Sequence, residues 1–593
     1  MHTMFKRFPL FLALAALMAA LAASLPAHAQ RANDPAAAAL LGNDARFHPV
    51  IAGHGMVAAQ ERIAAQVGAD ILLAGGNAVD AAVATGFALA VTHPQAGNIG
   101  GGGFMLISLS AAKKIAAIDY RETAPAAAAK NMFLEETGNV DRDRARYSRA
   151  SSGVPGTVAG LLYALEHYGT LPRGKVLEPA IKLAEEGFPV SYGFAYTLEK
   201  GHERFAADPS SKAYFEHPDG KPYKAGEILR QPDLAKTLHA IASEGAHGFY
   251  EGPVAKLIED EMKQNGGLIT VEDLRNYKPI EREPVRGSYR GYDIVSMPPP
   301  SSGGVHVIQI LNILEGYDLA KLGHNTADSI HRLVEAMRRA YADRAKYLGD
   351  PGFVKVPAAG LISKQYAAQL RAGIDVSHAS KSEDISAGKP PGTESEQTTH
   401  FSIIDNDGNA VSNTYTLNLA FGSGYSVDGA GFLLNNEMDD FSAKPGAPNA
   451  FSLLGGEANA IAPGKRPLSS MAPTIVLKNG APFLVTGSPG GSTIITVVVQ
   501  EILNVLAYDM NIAEATAAAR IHHQWQPDTV ISERGVSDDT LRILESRGFV
   551  IPRNNDGSFQ HRVLGRANSI MKANGYLLGA ADTRDADAAA IGY

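Results

Sequence analysis

The chain has 593 residues, 45% of them hydrophobic and 20% charged, with a formal net charge of −8 and no cysteine. That length exceeds one ordinary domain but suits one large composite core. The acidic balance excludes a nucleic-acid partner, since no basic stripe exists to neutralise phosphates, and the lack of cysteine excludes disulfides and thiolate metal sites. Lys6 and Arg7 precede an apolar run from Phe8 to Leu25, and Ala27-His28-Ala29 supplies small residues after it. This pattern predicts a secretory signal peptide over 1–29, cut after Ala29, rather than a membrane anchor. No membrane anchor is then expected in the mature chain. Export without disulfides suits a bacterial periplasm, with secretion beyond it left open.

Met56 to His93 reads as two helices, the first ended by Gly75-Gly76 and the second capped by Asn77. Val79, Ala82, Val83, Phe87 and Val91 make the second apolar on most faces, so it should be buried. Gly97-Asn98-Ile99-Gly100-Gly101-Gly102-Gly103 then leads into a strand. The order helix, glycines, strand is the reverse of a dinucleotide fingerprint, and close backbone packing is the expected role. Ile118-Asp119-Tyr120-Arg121-Glu122-Thr123-Ala124-Pro125 puts an arginine at a strand end, where it could be an ordinary surface residue. Gly153 to Gly160 introduces mainly helical sequence through about Leu370. Met297-Pro298-Pro299-Pro300-Ser301-Ser302-Gly303-Gly304 is a turn before one of these helices. The helix from Ala327 to Leu348 interleaves Arg332, Arg338, Arg339, Arg344 and Lys346 with acids, which predicts a solvated or salt-bridged face.

Ser377 to Gln397 is rich in Ser, Pro, Gly and Glu and is expected not to fold. Ser386-Ala387-Gly388-Lys389 matches the Ser-x-x-Lys of serine β-lactamases, but that motif needs a helix and lies here beside Pro390-Pro391. After this segment, Phe401, Ile403 and Ile404 precede Asp405-Asn406-Asp407-Gly408, and Val411, Tyr415 and Leu417 follow it, a hairpin pattern. Thr398 stands where the unfolded segment meets the first strand. It could simply begin an edge strand. Alternatively it could become a new N-terminus whose hydroxyl is a nucleophile and whose own α-amine is the base.

Beyond the hairpin, Leu433-Leu434-Asn435-Asn436-Glu437-Met438-Asp439-Asp440-Phe441 is an acidic loop without Ca²⁺-loop spacing. Glu437 and Asp440 could face a cationic group or water. Lys444-Pro445-Gly446-Ala447-Pro448-Asn449-Ala450-Phe451 reads as a surface loop carrying one aromatic, either a gate or a buried anchor. As a gate it predicts that Phe451→Ala leaves stability nearly intact. Lys465 to Pro473 holds the adjacent pair Ser469-Ser470. Phe483 to Thr486 is a short strand, and Gly487-Ser488-Pro489-Gly490-Gly491-Ser492 turns it into an apolar helix. Bare N–H groups beside a helix N-terminus make an anion site, and without a following lysine it is no phosphate loop. His522 and His523 are adjacent, hence a poor metal pair, and packing or surface roles are expected.

Gln397-Thr398-Thr399-His400-Phe401-Ser402, with Thr416-Leu417-Asn418, resembles the processing site of the γ-glutamyltransferases, self-cleaving members of the N-terminal nucleophile hydrolase superfamily. The motifs around Arg121, Gly153, Glu437, Ser469 and Gly490 resemble the family too, over about Gly53 to Tyr593. One departure is Asp582-Thr583-Arg584-Asp585, where the family commonly has Asp-Pro-Arg. The resemblance implies an α+β fold, a four-layer αββα sandwich. It also implies a cut between Gln397 and Thr398, giving a large subunit (30–397) and a small one (398–593) that stay together around one core. It implies Thr398 as nucleophile, Thr416 as its orienting partner, and Gly490 and Gly491 as the oxyanion hole. It implies that Arg121, Asn418, Glu437, Asp440, Ser469 and Ser470 hold a glutamyl head, with Phe451 in a lid where the family often has tyrosine. The implied reaction is cleavage of γ-glutamyl amides such as glutathione and transfer to water or an amine, with no cofactor and no metal. Two alternatives remain at this level: a cephalosporin (glutaryl-type) acylase on the same scaffold, and a non-catalytic periplasmic amino-acid binding protein.

Overall fold

A computed structural model describes residues 45–386 and 398–593. The signal segment 1–29, Lys389 of the Ser-x-x-Lys match, and Gln397 lie outside the described residues. Two seven-stranded antiparallel sheets form the centre. One runs, in spatial order, Ala589–Gly592, Met56–Ala59, Thr399–Ile404, Ala410–Thr416, Gly102–Leu109, Lys114–Tyr120, Ile280–Arg282. The other runs Val50–Ala52, Tyr576–Ala581, Asn568–Ala573, Ala481–Thr486, Thr474–Lys478, Tyr292–Ser296, Val285–Tyr289. Both sheets mix strands from before and after the 397/398 border, so neither part could complete a sheet alone.

Strand periodicity sets the layers. In the Thr399–Ile404 hairpin, Phe401, Ile403, Val411 and Tyr415 point to an apolar cluster with the helices Arg62–Leu73, Ala78–Thr92 and Thr157–Tyr168. The alternate residues face the second sheet; His400, Ser402, Ser412 and Thr414 are polar, while Ile404 and Ala410 join the apolar cluster on that side. Ser402 Oγ donates to the Asn568 carbonyl at 2.9 Å, and Ser412 Oγ donates to the Thr486 carbonyl at 3.0 Å. The second sheet's outer side packs on the helices Gly303–Leu314 and Ile494–Leu506, with Ala327–Tyr347 beyond. Helix, sheet, sheet, helix is the expected αββα sandwich.

Of the stretch read as two helices from Met56 to His93, Met56–Ala59 is instead a strand, short and apolar enough to be taken for the start of the Arg62–Leu73 helix; other local signals are realised as read. Asn77 caps the Ala78–Thr92 helix in a reciprocal box with Asp80, and that helix is buried along its whole length. Asp405 closes the hairpin turn, its Oδ1 accepting from the N–H groups of Asp407 and Asn409.

Two further expectations need correction. The face of the Ala327–Tyr347 helix carrying Arg338, Arg339 and Arg344 is not solvated: all three are buried. Arg338 and Arg339 pair with Glu335, and Arg338 also with Asp528, so the salt-bridged half of the expectation applies to them. The segment from Ser377 is folded as far as it is described. Ser382 is fully buried, its N–H donating to Asp528 and its carbonyl accepting from the Trp525 indole. Ser380 N–H donates to Glu335. Composition suggested disorder because the partners that satisfy this backbone lie far away in sequence.

Candidate active site

Thr399–Ile404 is an interior strand, flanked by Ala410–Thr416 on one side and Met56–Ala59 on the other. This overturns the edge-strand reading of Thr398. Thr398 enters that strand almost buried, with Oγ1 3.3 Å from Thr416 Oγ1. Thr416 Oγ1 also accepts from the Asn418 N–H at 2.8 Å. The glycine run brings the chain against this spot. A Cβ on Gly101 would sit 1.9 Å from the Thr416 carbonyl oxygen, and one on Gly100 would sit 2.0 Å from that of Leu433. Close backbone packing, the role expected for the run, is what it provides.

Thr398 and Thr416 line a cleft enclosing about 260 Å³, part of it continuous with solvent. Arg121, Asn418, Glu437, Asp440, Phe451, Ser469, Ser470, Met471, Gly491 and Ile494 line the rest. Ten of the candidate residues thus converge, although they span Arg121 to Gly491 in sequence. Gly490 precedes the lining rather than joining it. Its carbonyl accepts from Thr493 N–H and Oγ1, which closes the turn into the Ile494–Leu506 helix. Gly490 and Gly491 both have positive φ, 136° and 53°, a backbone that side chains rarely tolerate.

At the far end, Arg121 is fully buried and ion-paired with both Glu437 and Asp440. Asp440 Oδ1 also accepts from Asn449 Nδ2 at 2.9 Å. Glu122 packs behind, 3.7 Å from the guanidinium, with neither carboxylate oxygen hydrogen-bonded among the described residues. Burial pushes the Glu122 carboxyl up to about 7 against the opposing pull of Arg121. Burial likewise raises Glu437 well above the ordinary range, and its Oε2 has no hydrogen-bond partner among the described residues. Three carboxyl groups therefore surround one guanidinium, two of them pushed toward the protonated form by burial. Asn418 presents another unpartnered acceptor, Oδ1, in the cleft wall.

The 444–451 loop is exposed at Lys444–Gly446 but not at its aromatic. Phe451 is 4% exposed and lies on the Gly490–Gly491 turn, where a Cβ on Gly491 would meet its ring at 2.3 Å. Gln524 Nε2 holds the Phe451 carbonyl at 3.0 Å, and Ala450 N–H donates to Asp439. Of the two readings of Phe451, gate and buried anchor, its burial matches the anchor, and the ring also lines the cleft, so the expectation that Phe451→Ala leaves stability nearly intact is corrected. His522 and His523 are both buried. His522 bridges Thr496 and Gln524, and His523 contacts Asp528. Sequence reasoning passed over Glu122 as a site residue, although it adjoins Arg121 in the same motif. It also missed Arg344, whose Nη2 donates to Ser470 Oγ at 3.1 Å.

With this geometry in hand, comparison with known proteins is specific. The family model for gamma-glutamyltranspeptidase matches residues 64–592. A glutathione hydrolase proenzyme of Escherichia coli is 53% identical over 549 residues, 92% of this chain and 93% of the relative. An acylase proenzyme of a Pseudomonas species is more distant, 41% identical over 541 residues, 90% of this chain and 92% of the relative. Among solved structures, cephalosporin acylase from Bacillus halodurans superposes with a TM-score of 0.81 at 29% identity, covering 93% of this chain and 98% of that one. Gamma-glutamyltranspeptidase from Helicobacter pylori gives 0.54 at 51% identity, over 55% of this chain and 93% of that one. The Escherichia coli glutathione hydrolase is nearer in sequence than the acylase, and the family match runs through every segment that builds the cleft: the chain belongs to the gamma-glutamyltranspeptidase family.

Proposed function

We propose that this protein is a self-processing γ-glutamyltransferase. It cleaves the γ-glutamyl amide bond of glutathione and related compounds and passes the glutamyl group to water or to the amine of an amino acid or peptide. The observation that carries this reading is the pair of threonine hydroxyls 3.3 Å apart at the head of an interior strand, in one cleft with Arg121, Glu437 and Asp440.

In the precursor, Thr398 Oγ attacks the Gln397 carbonyl, the peptide bond breaks to an ester, and water releases the two subunits as an associated pair. The new α-amine of Thr398 then serves as base; such amines titrate at about 7.7–8.0, suited to proton transfer near neutrality. Thr398 Oγ adds to the γ-carbonyl of the donor, its proton passing to the amine. Gly490 and Gly491 N–H groups take the oxyanion. The amine proton goes to the departing nitrogen, leaving a γ-glutamyl ester that water or an acceptor amine resolves. Thr416 orients the nucleophile. Glu437, Asp440 and Asn418 receive the α-ammonium, and Arg121, Ser469 and Ser470 receive the α-carboxylate. Arg121 reaches that carboxylate from within its ion pairs, so binding exchanges one set of charge-assisted contacts for another.

The acylase reading is weaker because an acyl group without an α-amine would leave the acidic end of the cleft with nothing to receive. The N-terminal leader supports a periplasmic site of action. The test is parallel turnover of a γ-glutamyl anilide and a glutaryl amide, together with intact mass and N-terminal sequencing. Two chains, the smaller beginning at Thr398, and preference for the γ-glutamyl donor are expected. A single active chain or a glutaryl preference would overturn the reading.

A further inference from the structure

We propose that Arg344 is a positioning residue for the substrate carboxylate: it aims the Ser470 hydroxyl into the cleft and adds positive charge behind the serine pair, assisting Arg121, whose guanidinium is also shared with Glu437 and Asp440. The proposal rests on the reading of the cleft as a glutamyl site.

Arg344 sits in the Ala327–Tyr347 helix, before the 397/398 border, and is 4% exposed. Its Nε–H donates to Ser302 Oγ at 2.9 Å and its Nη2–H to Ser470 Oγ at 3.1 Å. Among the described residues it has no ion pair with a carboxylate, whereas Arg338 and Arg339 on the same helix both pair with Glu335. The charged groups that influence it are Asp440 and Arg121, across the cleft, with Tyr341 on its own helix. Burial without a counter-ion lowers its pKa to about 10, which still leaves it cationic at neutral pH.

A guanidinium only donates, so both serine oxygens must accept from it. Ser302 passes its own hydrogen to the Ser469 carbonyl at 2.7 Å, fixing the serine pair from behind. Ser470 has its oxygen engaged on the Arg344 side and lines the cleft on the other. Its hydrogen therefore points away from Arg344, toward the space shared with Thr398. A hydroxyl that accepts from a cation is also a stronger donor.

Charge gives the second argument. Arg121 is shared with Glu437 and Asp440, with Glu122 beside it, so a second cation near the serine pair strengthens the hold on a carboxylate. A buried cation without a partner is costly, and a carboxylate arriving at Ser470 provides the missing counter-charge. The carboxylate of a glutamyl head would then be held by Arg121, Ser469 and the Arg344-backed Ser470, with its ammonium on Glu437 and Asp440. The same helix reaches the oxyanion turn, Tyr341 donating to the Ser492 carbonyl. One helix from before the border thus braces two elements that follow it.

The test uses the processed wild type and the variants Arg344→Gln and Arg344→Lys. The substrates are γ-glutamyl anilide and its decarboxylated counterpart, 4-aminobutanoyl anilide. For Arg344→Gln, kcat/KM on the γ-glutamyl substrate is expected to fall by at least about tenfold, the effect of losing one charge-assisted hydrogen bond, mostly through KM. On the decarboxylated substrate the fall is expected to stay below about threefold, because the missing group is the one Arg344 serves. Arg344→Lys keeps the charge without the two-pronged contact and should lie between; it carries the test if the glutamine variant does not fold. In a Ser470→Ala background, replacing Arg344 should add little. Equal losses on both substrates would mean a merely structural arginine, and no loss on either would remove it from recognition; both overturn the proposal. A wild type indifferent to the carboxylate would instead overturn the glutamyl reading beneath it.

Discussion

Replacing Phe451 separates its two roles, anchor and cleft wall. The ring is 4% exposed, lies on Gly491, and belongs to the large apolar cluster beneath the Ile494–Leu506 helix. Truncating a buried phenylalanine to alanine costs about 3–5 kcal/mol when the cavity cannot refill. Here one side borders the cleft, where water can enter, so the lower end, about 3 kcal/mol, is expected. Phe451→Ala should therefore lower the thermal and urea midpoints clearly. Phe451→Tyr adds a hydroxyl to a ring in the same cleft wall as Asn418, whose Oδ1 is buried without a hydrogen-bond partner. A new hydrogen bond there contributes about 0.5–1.5 kcal/mol, or roughly two- to tenfold in the balance between closed and open 444–451 loop. The measurements are denaturation of all three proteins and the ratio of transfer to hydrolysis at fixed acceptor concentration. Tyrosine should shift that ratio without lowering stability. An alanine variant as stable as wild type, together with a tyrosine variant of unchanged ratio, would refute both halves of the argument.

Thr398→Ala removes the attacking hydroxyl, so a denaturing gel should display one inactive chain; a variant that still splits when pure assigns the cut elsewhere. Arg121→Ala strands two paired carboxylates, and Asp440→Ala removes one charged contact. Each should lower kcat/KM by roughly ten- to a hundredfold with cleavage retained, and unchanged kinetics in either would remove it from the site. Glu122, held at about 7, adds a negative charge to the ammonium end as pH rises through neutrality. In Glu122→Gln that limb of the kcat/KM profile should vanish. The sign for stability follows from the same shift. The raised carboxyl is protonated in the fold but ionised in the unfolded chain between about 4.5 and 7, so its contribution is full at low pH and lost as pH rises. Urea midpoints measured across that window should fall less steeply in Glu122→Gln than in wild type.

Much of the fold was legible because its signals are local. Asn77 and Asp80 form a cap three residues apart, and Asp405 to Gly408 form a turn with period-2 strands on either side. The cleft was legible for a different reason: its residues sit in separate short motifs whose combination resembles a family. Arg344 was not legible, because nearby acids suggested surface pairs, while its contacts, Ser302 and Ser470, lie 42 and 126 residues away. Ser377 to Ser386 failed for the same reason, its composition saying nothing of Trp525 and Asp528. Phe451 was read from the proline and glycine before it, which govern the exposed half of the loop and not the half pinned by Gln524.

The strand that begins after Thr398 has one further consequence. Chain ends are ordinarily the least constrained points of a protein, fraying within a few residues. Here the cut would create an end inside a seven-stranded sheet, with neighbours already bonded on both edges of its strand. The scaffold can therefore exchange a peptide linkage for a free amine without surrendering the alignment of the atom next to it. Birth of the base and retention of the nucleophile become independent events: one is written in a bond that breaks, the other in a ladder that does not.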